Sequence, residues 1–216
     1  MVKTNFPIII MTAAHIHETI LDKDVPKTYY QFLEVAVREL LIEKGVITAD
    51  DIWRSVEDMD SRGPEQGAQV VAHAWVDPEF KKSLLLDASS AIKTLGIDIG
   101  PLNLLVMENT SKVHNLIVCT LCSCYPRWLL GLPPDWYKSR EYRSRAVREP
   151  REVLREFGTE IPNEVEVRVH DSTADLRYLV LPKRPEGTGH LNEEQLAALV
   201  KRDTMIGVTV VQPPVS

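Results

Sequence analysis

Apolar residues recur at helical spacing through the first part of the chain. Between residues 29 and 44 they fall three and four positions apart, and Gly45 follows as a C-terminal cap. Thr48 is a favourable N-cap for a second helix, whose first turn would carry the acidic side chains of Asp50 and Asp51. The pattern therefore predicts two amphipathic helices ahead of a polar break at residues 61–67.

The pattern changes from helical to mixed near Gly100. Three more helices are predicted before that point: over residues 69–76, from Pro78 after the N-cap Asp77 to Leu86, and in a short stretch that ends at Leu95. Beyond it, runs rich in Val, Ile and Leu indicate strands, with helical segments between them. The predicted strands cover residues 104–108, 113–118, 165–170, 177–181 and 206–211, and the predicted helices cover residues 144–157 and 193–201.

These elements predict an α+β fold in two parts. Residues 1–60 would form an N-terminal helical arm without an obvious core, which is expected to pack on a partner subunit; folding back on its own domain is the alternative. Residues 61–216 would form a mixed αβ domain. The first 20 residues have one lysine and a short apolar run, which does not match a signal peptide, so we expect a poorly ordered terminus.

Charge and cysteine usage narrow the class of protein. The 216 residues include 25 Lys and Arg against 31 Asp and Glu, and a net charge of −6 argues against nucleic-acid binding as the main function. No apolar run reaches the ~18 residues that span a bilayer, so no membrane partner is expected. The 3 cysteines lie within residues 119–124, which does not fit a disulfide framework. This cysteine usage predicts a reducing, cytoplasmic compartment and a chemical role for the three cysteines at one site.

The cysteine sequence admits several kinds of site. A structural zinc site needs four ligands, and the chain offers only three thiols, those of Cys119, Cys122 and Cys124. His114 could be the fourth ligand. An iron–sulfur cluster normally uses four cysteines. A redox pair needs only two cysteines and leaves the third thiol without a role. A non-catalytic zinc or redox module therefore stays open as one interpretation.

A different site uses all three thiols together with the backbone. The sulfurs of Cys122 and Cys124 and the amide nitrogens of Ser123 and Cys124 could bind one metal ion in a plane. Cys119 could then add an axial thiolate and leave the sixth position open. Removing protons from backbone amides requires a strong Lewis acid, which favours Co(III) or Fe(III) over Zn(II). Oxidising the sulfurs to sulfinic and sulfenic acids would lower their donor strength and restore the Lewis acidity of the ion.

The residues around this loop resemble the α subunit of the nitrile hydratase family, which includes the metal subunit of thiocyanate hydrolase. The resemblance runs over residues 118–126 (VCTLCSCYP) and 130–138 (LGLPPDWYK). It extends to residues 74–82 (AWVDPEFKK), 142–151 (YRSRAVREPR), 179–188 (LVLPKRPEGT) and 205–207 (MIG). Together these segments cover most of the chain, roughly from residue 32 to residue 208.

The resemblance implies a role for each residue of the loop. Cys119 would be a thiolate ligand, Cys122 a sulfinic ligand and Cys124 a sulfenic ligand, and the amides of Ser123 and Cys124 would complete the plane. Thr120 implies one Co(III) ion in preference to Fe(III). The implied activity is hydration of a nitrile to an amide, in which Cys122, Ser123 and Cys124 take part. A β subunit and a cobalt-insertion chaperone are the implied partners.

Two positions depart from the family pattern. Nitrile hydratases commonly carry tryptophan where this chain has Arg127, and Trp128 follows it. The thiocyanate hydrolase subunit resembles this chain in having arginine there, and a guanidinium suits the anion thiocyanate better than a neutral nitrile. The chain also has Asp98–Asn103 where the family has a glutamine before the strand. Thiocyanate hydrolysis to carbonyl sulfide and ammonia is therefore the alternative function, and Arg127 and Trp128 are the candidate residues of the substrate pocket.

Other polar residues have simpler interpretations. His15 and His17 are expected to be solvated, His73 to pack in its helix, and Asp171 to form a turn. Trp136 and Tyr137 are expected to be packing anchors. An arginine-rich run is expected to be solvated, to pair with a partner subunit or to balance an anionic metal site; it comprises Arg140, Arg143, Arg145, Arg148, Arg151 and Arg155.

Overall fold

The computed structural model describes residues 26, 28–101 and 103–214. Its contacts divide the chain into two compact units, with the boundary between Ser55 and Val56. The expectations for the first 20 residues, including His15 and His17, fall outside the described residues. Within the described ranges, no helix is long and apolar enough to cross a membrane.

Two amphipathic helices follow the start of the described chain, as the sequence predicts. Helix α1 spans Tyr29–Glu43, and Thr28 and Gln31 form a capping box at its start. Helix α2 spans Ala49–Ser61, and the Thr48 hydroxyl accepts a hydrogen bond from the Asp51 backbone N–H over 3.1 Å. No residue of either helix is buried. Their exposed apolar side chains include Tyr29, Tyr30, Phe32, Leu33, Val37, Leu40, Trp53 and Val56.

Three helices then bring the chain to the first strand. They are α3 (Glu65–Val76), α4 (Pro78–Leu86) and α5 (Ala88–Thr94). The Asp77 carboxylate caps α4 by accepting hydrogen bonds from the N–H groups of Glu79 and Phe80, which confirms the predicted start. Helix α3 begins four residues earlier than the predicted position 69. Gly67 lies in the predicted polar break, but it is buried within the helix. Side-chain atoms of Leu130 and Met205 would lie 2.7 and 2.8 Å from a Cβ there, so the packing leaves no room for a side chain.

Four strands form two parallel pairs. Strand β1 (Leu104–Glu108) pairs with β4 (Arg177–Leu181), and β2 (Val113–Val118) pairs with β3 (Glu166–Asp171). Because parallel neighbours need a long crossover, the chain between β2 and β3 returns through four short helices. These helices are α6 (Arg127–Leu130), α7 (Asp135–Lys138), α8 (Arg140–Arg148) and α9 (Pro150–Glu156). The crossover begins with the cysteines.

Two sequence predictions in this region are wrong. The predicted helix over residues 144–157 is two helices, because Pro150 cannot continue α8 and instead starts α9. The predicted last strand over residues 206–211 is the end of a helix followed by irregular chain. After α10 (Glu193–Leu199), the helix α11 spans Arg202–Ile206 and ends at Gly207, whose φ is +92°. Ile206, Val208 and Val211 are buried there while Val210 is exposed, so this apolar run has a strand-like composition without forming a strand.

The core of the second unit lies between the strands and the helices that pack on them. Strand β2 is buried from His114 to Val118, and β4 is buried from Leu179 to Leu181. Helix α8 packs against β2, and α11 packs against β2 and β4. This packing fixes the carboxyl end of β2, from which the cysteine loop extends. The α+β class predicted from the sequence is confirmed.

Candidate metal centre

The cysteine loop begins at the last residue of a buried parallel strand. Cys119 directly follows β2, and residues 119–126 run without regular structure to the start of α6. Cys119 is buried, Cys124 is half-buried and Cys122 is exposed, so the loop rises from the core to the surface. Sites at the carboxyl ends of parallel strands are a common place for ligands in αβ proteins. The three thiols therefore lie where a bound group would have access to solvent.

The three sulfur atoms converge. The Sγ atoms of Cys119 and Cys122 lie 3.5 Å apart, and those of Cys122 and Cys124 lie 3.3 Å apart. All three sulfurs fall within 4.8 Å of one another, and all three cysteines are free. The backbone N–H of Cys122 also donates to the sulfur of Cys119 over 3.3 Å. The loop is thus folded so that its sulfurs surround one point.

The surroundings of the loop shift the pKa values of Cys122 and Cys124 in opposite directions. A hydrogen bond from the Cys124 thiol lowers the pKa of Cys122, and the Cys119 thiol and the backbone N–H groups of Ser123 and Cys124 lower it further. Burial raises the pKa of Cys124 to about 12, with a further increase from the hydrogen bonds to Cys122 and Cys119. The neighbouring thiols and backbone N–H groups therefore make Cys122 more acidic than Cys124.

The donor set fits a metal that accepts backbone nitrogen. Among the described residues, no histidine, aspartate or glutamate joins the three cysteines in this group. His114, the candidate fourth zinc ligand, is instead held by the Gly207 carbonyl, 2.7 Å from its Nε2, and by Asn109. Three thiols without a fourth side-chain ligand match a set completed by backbone nitrogen better than the four side-chain ligands of a zinc site. The loop is therefore suited to a strong Lewis acid such as a trivalent metal ion.

Residues far away in the sequence hold the loop. Asp171, the last residue of β3, accepts hydrogen bonds from the backbone N–H and the hydroxyl of Thr120 over 2.9 and 2.5 Å. The Tyr137 hydroxyl donates to the Cys124 carbonyl over 2.9 Å. Burial raises the pKa of Tyr137 above its usual range, with a further increase from the charge on Cys119. The sequence predictions for Asp171 as a turn residue and for Tyr137 as a packing anchor missed these bonds.

The two candidate pocket residues lie on the first turn of α6. Arg127 is half-buried, and its backbone N–H donates to the Tyr125 carbonyl over 2.9 Å. The Trp128 ring packs against Gly100, where ring atoms would lie 2.8 Å from a Cβ, and the Arg62 guanidinium lies 5.9 Å from the ring centre. Arg127 and Trp128 follow Cys124 by three and four positions, and a role in substrate binding stays a prediction.

Most of the arginine-rich run is engaged with its own chain. Arg145 pairs with Glu149 and Glu156 at 2.9 and 2.6 Å. Arg143 is the member whose hydrogen bonds reach the cysteine loop, since its Nη1 donates to the Thr120 carbonyl over 3.4 Å. His73 is also engaged, because its Nδ1 lies 3.1 Å from the Glu193 carboxylate. The interpretation of the run as a largely solvated face agrees with these surface pairs.

Comparison with known proteins places this arrangement in a family. The model of the family described as nitrile hydratase, alpha chain, matches residues 28–209. The chain belongs to the nitrile hydratase α-chain family. The match extends into both units of the structure and includes every residue of the cysteine loop. The family resemblance inferred from the sequence is therefore confirmed.

Individual members of the nitrile hydratase family are similar over most of their length. The low-molecular weight cobalt-containing nitrile hydratase subunit alpha of Rhodococcus rhodochrous is 53% identical over 182 residues, which cover 83% of this chain and 87% of that protein. The thiocyanate hydrolase subunit gamma of Thiobacillus thioparus is 45% identical over 201 residues, which cover 87% of this chain and 82% of that subunit. Both activities weighed from the sequence thus occur among its relatives.

A solved structure gives the same fold. A recombinant thiocyanate hydrolase with partially modified cobalt centres superimposes with a TM-score of 0.80 at 44% identity, over 87% of this chain and 92% of that chain. Cobalt is named in that structure and in the Rhodococcus relative. The cysteine site and these relatives support cobalt as the metal of this chain.

Proposed function

We propose that this chain is the metal-bearing α subunit of a nitrile hydratase, which converts a nitrile to an amide at one non-corrin Co(III) ion. The observation that carries the proposal is the convergence of three cysteine sulfurs within 4.8 Å of one another. When bound, the ion supplies the Lewis acidity that polarises the nitrile or activates water. Family membership and the cobalt-containing relatives support this choice of chemistry.

The residues of the loop would divide the work of binding. Cys119, which is buried, would serve as the thiolate ligand. Cys122 and Cys124 would be the sulfinic and sulfenic ligands, and the amide nitrogens of Ser123 and Cys124 would complete the set. The exposed position of Cys122 gives oxidants access to its sulfur, which suits the more oxidised of the two states. The oxygen on Cys124 would be able to accept a proton or attack the nitrile carbon.

Thiocyanate hydrolysis is the second candidate function. Arg127 follows the loop closely and offers a permanent positive charge, which would attract an anionic substrate. The thiocyanate hydrolase subunit of Thiobacillus thioparus is 45% identical to this chain. The cobalt-containing nitrile hydratase relative is 53% identical, and we therefore rank nitrile hydration first. Arg127 and Trp128 would line the substrate pocket in either case.

A second subunit would complete the active enzyme. The relatives are named as alpha and gamma subunits, which implies partners in those enzymes. In this chain, helices α1 and α2 expose Tyr30, Phe32 and Trp53 by 79%, 56% and 67%, and no residue of either helix is buried. We propose that residues 1–60 form an arm that contacts a β subunit and that residues 61–216 form the catalytic domain. A cobalt-insertion chaperone would load the site in a reducing, cytoplasmic compartment that suits free thiols.

The test is a pair of activity assays on the cobalt-loaded complex. The chain is co-expressed with its candidate β subunit in cobalt medium, and amide formation from a small nitrile is measured beside carbonyl sulfide release from thiocyanate. Nitrile hydration with the higher kcat/KM supports the first function. Activity on thiocyanate alone replaces it with the second. Cobalt-loaded complex without either activity contradicts both.

A further inference from the structure

The carbonyl groups that flank the cysteines are held from one segment of the crossover. The Tyr137 hydroxyl donates to the carbonyl of Cys124, at the far end of the loop, over 2.9 Å. Six residues later, Arg143 donates to the carbonyl of Thr120, at the near end. Between them, the Tyr142 hydroxyl donates to the Ile117 carbonyl in β2 over 2.6 Å. Side chains of a single stretch, residues 137–143, therefore donate hydrogen bonds to backbone carbonyls of the loop and of the strand before it.

The opposite side of Thr120 is held by a different element. Strands β2 and β3 are in register, with Val118 beside Asp171, so both strands end at the same level. The N–H of Ser172 donates to the Val118 carbonyl over 2.7 Å and continues the pairing one step further. This places the Asp171 carboxylate against the first loop residues, where it accepts from both donors of Thr120. The near end of the loop is thereby held at three polar atoms of Thr120: its N–H, its hydroxyl and its carbonyl oxygen.

Tyr137 is rigid enough to act as a fixed point. Its side chain is fully buried and packs edge-on against Tyr125, with 5.1 Å between ring centroids. Tyr142 lies 5.7 Å away and Trp136 lies 6.0 Å away on other sides. A tyrosine held on several faces keeps its hydroxyl in one place, so its bond to Cys124 costs little conformational entropy when the loop forms.

The hydrogen bonds at the two ends of the cysteine loop limit the shapes that the loop can adopt. With Thr120 and the Cys124 carbonyl tied to the crossover and to β3, the segment between them is held at both ends while its three sulfurs lie within 4.8 Å of one another. We propose that Tyr137 and Asp171 are positioning residues, which hold the cysteine loop in its metal-binding shape before any metal arrives. The proposal rests on the proposed cobalt-binding function of the loop. Neither residue touches the metal, and both act through the backbone of the loop.

The test compares conservative variants of the full chain expressed without cobalt. Y137F removes the hydroxyl that binds Cys124, and D171N leaves one side-chain acceptor for the two donors of Thr120. Y142F is the matched control, because it removes a buried tyrosine hydroxyl bond of the same kind from the neighbouring strand, whose backbone the β2–β3 ladder already fixes. Co(II) affinity is measured by competition with a chelator, and unfolding by urea is measured in parallel.

The expected result separates positioning from stability. Y137F and D171N should each weaken Co(II) binding by about fivefold or more, the factor that corresponds to one hydrogen bond of about 1 kcal/mol. Y142F should bind Co(II) within about twofold of the parent chain, although its urea midpoint falls as much as that of Y137F. Equal Co(II) affinity for Y137F and Y142F would overturn the proposal.

A second measurement does not depend on cobalt. Hydrogen exchange of the Thr120 and Cys122 amides is followed in the metal-free chain. Faster exchange in Y137F and D171N than in Y142F supports the positioning role, and equal exchange in all three contradicts it. If the parent chain binds no cobalt, the proposed function fails, and this exchange comparison still decides whether Tyr137 and Asp171 organise the loop.

Discussion

Gly207 supports the strand that leads into the cysteine loop, and replacing it with alanine should be severely destabilising. The residue ends α11 with φ at +92°, a conformation that alanine adopts poorly. A Cβ there would lie 2.0 Å from the backbone oxygen of Asn115 and 3.2 Å from the Cα of Leu116. These contacts are backbone atoms of β2, which cannot move aside as a flexible side chain could. The Gly207 carbonyl also binds buried His114 over 2.7 Å.

The magnitude follows from three separate costs. The left-handed conformation costs an L-residue about 1–2 kcal/mol. Forcing a methyl group against packed backbone typically costs about 1–3 kcal/mol. A shift that breaks the bond to His114 leaves a buried polar group unsatisfied, which costs about 1–3 kcal/mol more. We therefore expect G207A to lower the free energy of unfolding by at least about 3 kcal/mol, a large share of the stability of a typical domain.

Two other glycines supply matched controls for the urea-denaturation assay. Gly158 has φ at +75° with open space where its Cβ would lie, so G158A isolates the conformational cost of about 1–2 kcal/mol. Gly189 also has open space and no left-handed φ, so G189A should be neutral or slightly stabilising. If G207A loses no more stability than G158A, the steric argument for contact between Gly207 and β2 is wrong.

Three further predictions concern pH, substrate and packing. Burial lowers the pKa of His114 below 6.5, so the unfolded chain binds a proton more readily than the folded chain. The free energy of unfolding should therefore fall as the pH drops below about 6.5. In urea titrations at several pH values, H114Q should show a shallower fall, and an unchanged slope would contradict this. R127W should raise the ratio of kcat/KM for a nitrile to that for thiocyanate by about tenfold or more, because an anion loses a charged contact; an unchanged ratio would remove Arg127 from the substrate pocket. W75F should cost about 1 kcal/mol in urea unfolding, since the Trp75 indole donates to the Pro182 carbonyl over 2.8 Å; a neutral variant would show that this bond adds no stability.

Local chemistry explains which elements the sequence could predict. The bounds of β1, β2 and β4 match the predictions because their Val- and Leu-rich runs are short and bounded by turn residues. The start of α4 was equally clear, because Asp77 and Pro78 form a cap and a first turn on their own. The start of α3, close to Gly67, and the chain after Ile206 were predicted wrongly, because tertiary packing sets the environment of these residues. A single sequence does not show that packing.

The same distinction applies to the candidate site. Cys119, Cys122 and Cys124 are close in sequence, so their convergence could be predicted from their spacing. Asp171 and Tyr137 hold the loop from 51 and 13 residues away, through strand register and a crossover that only the fold defines. Tyr137 carried one usable signal, since a buried tyrosine hydroxyl needs a hydrogen-bond acceptor. Its acceptor, the Cys124 carbonyl, could not be identified without the structure.

The central claim is that backbone amides and oxidised cysteines of one loop hold a trivalent cobalt ion. The direct measurement combines metal analysis of the purified complex with mass spectrometry of the peptide that contains Cys119–Cys124. We predict about one cobalt per chain, with additions of about 32 Da on Cys122 and about 16 Da on Cys124, the masses of two oxygens and one. Stoichiometric zinc with all three cysteines unoxidised would contradict the account.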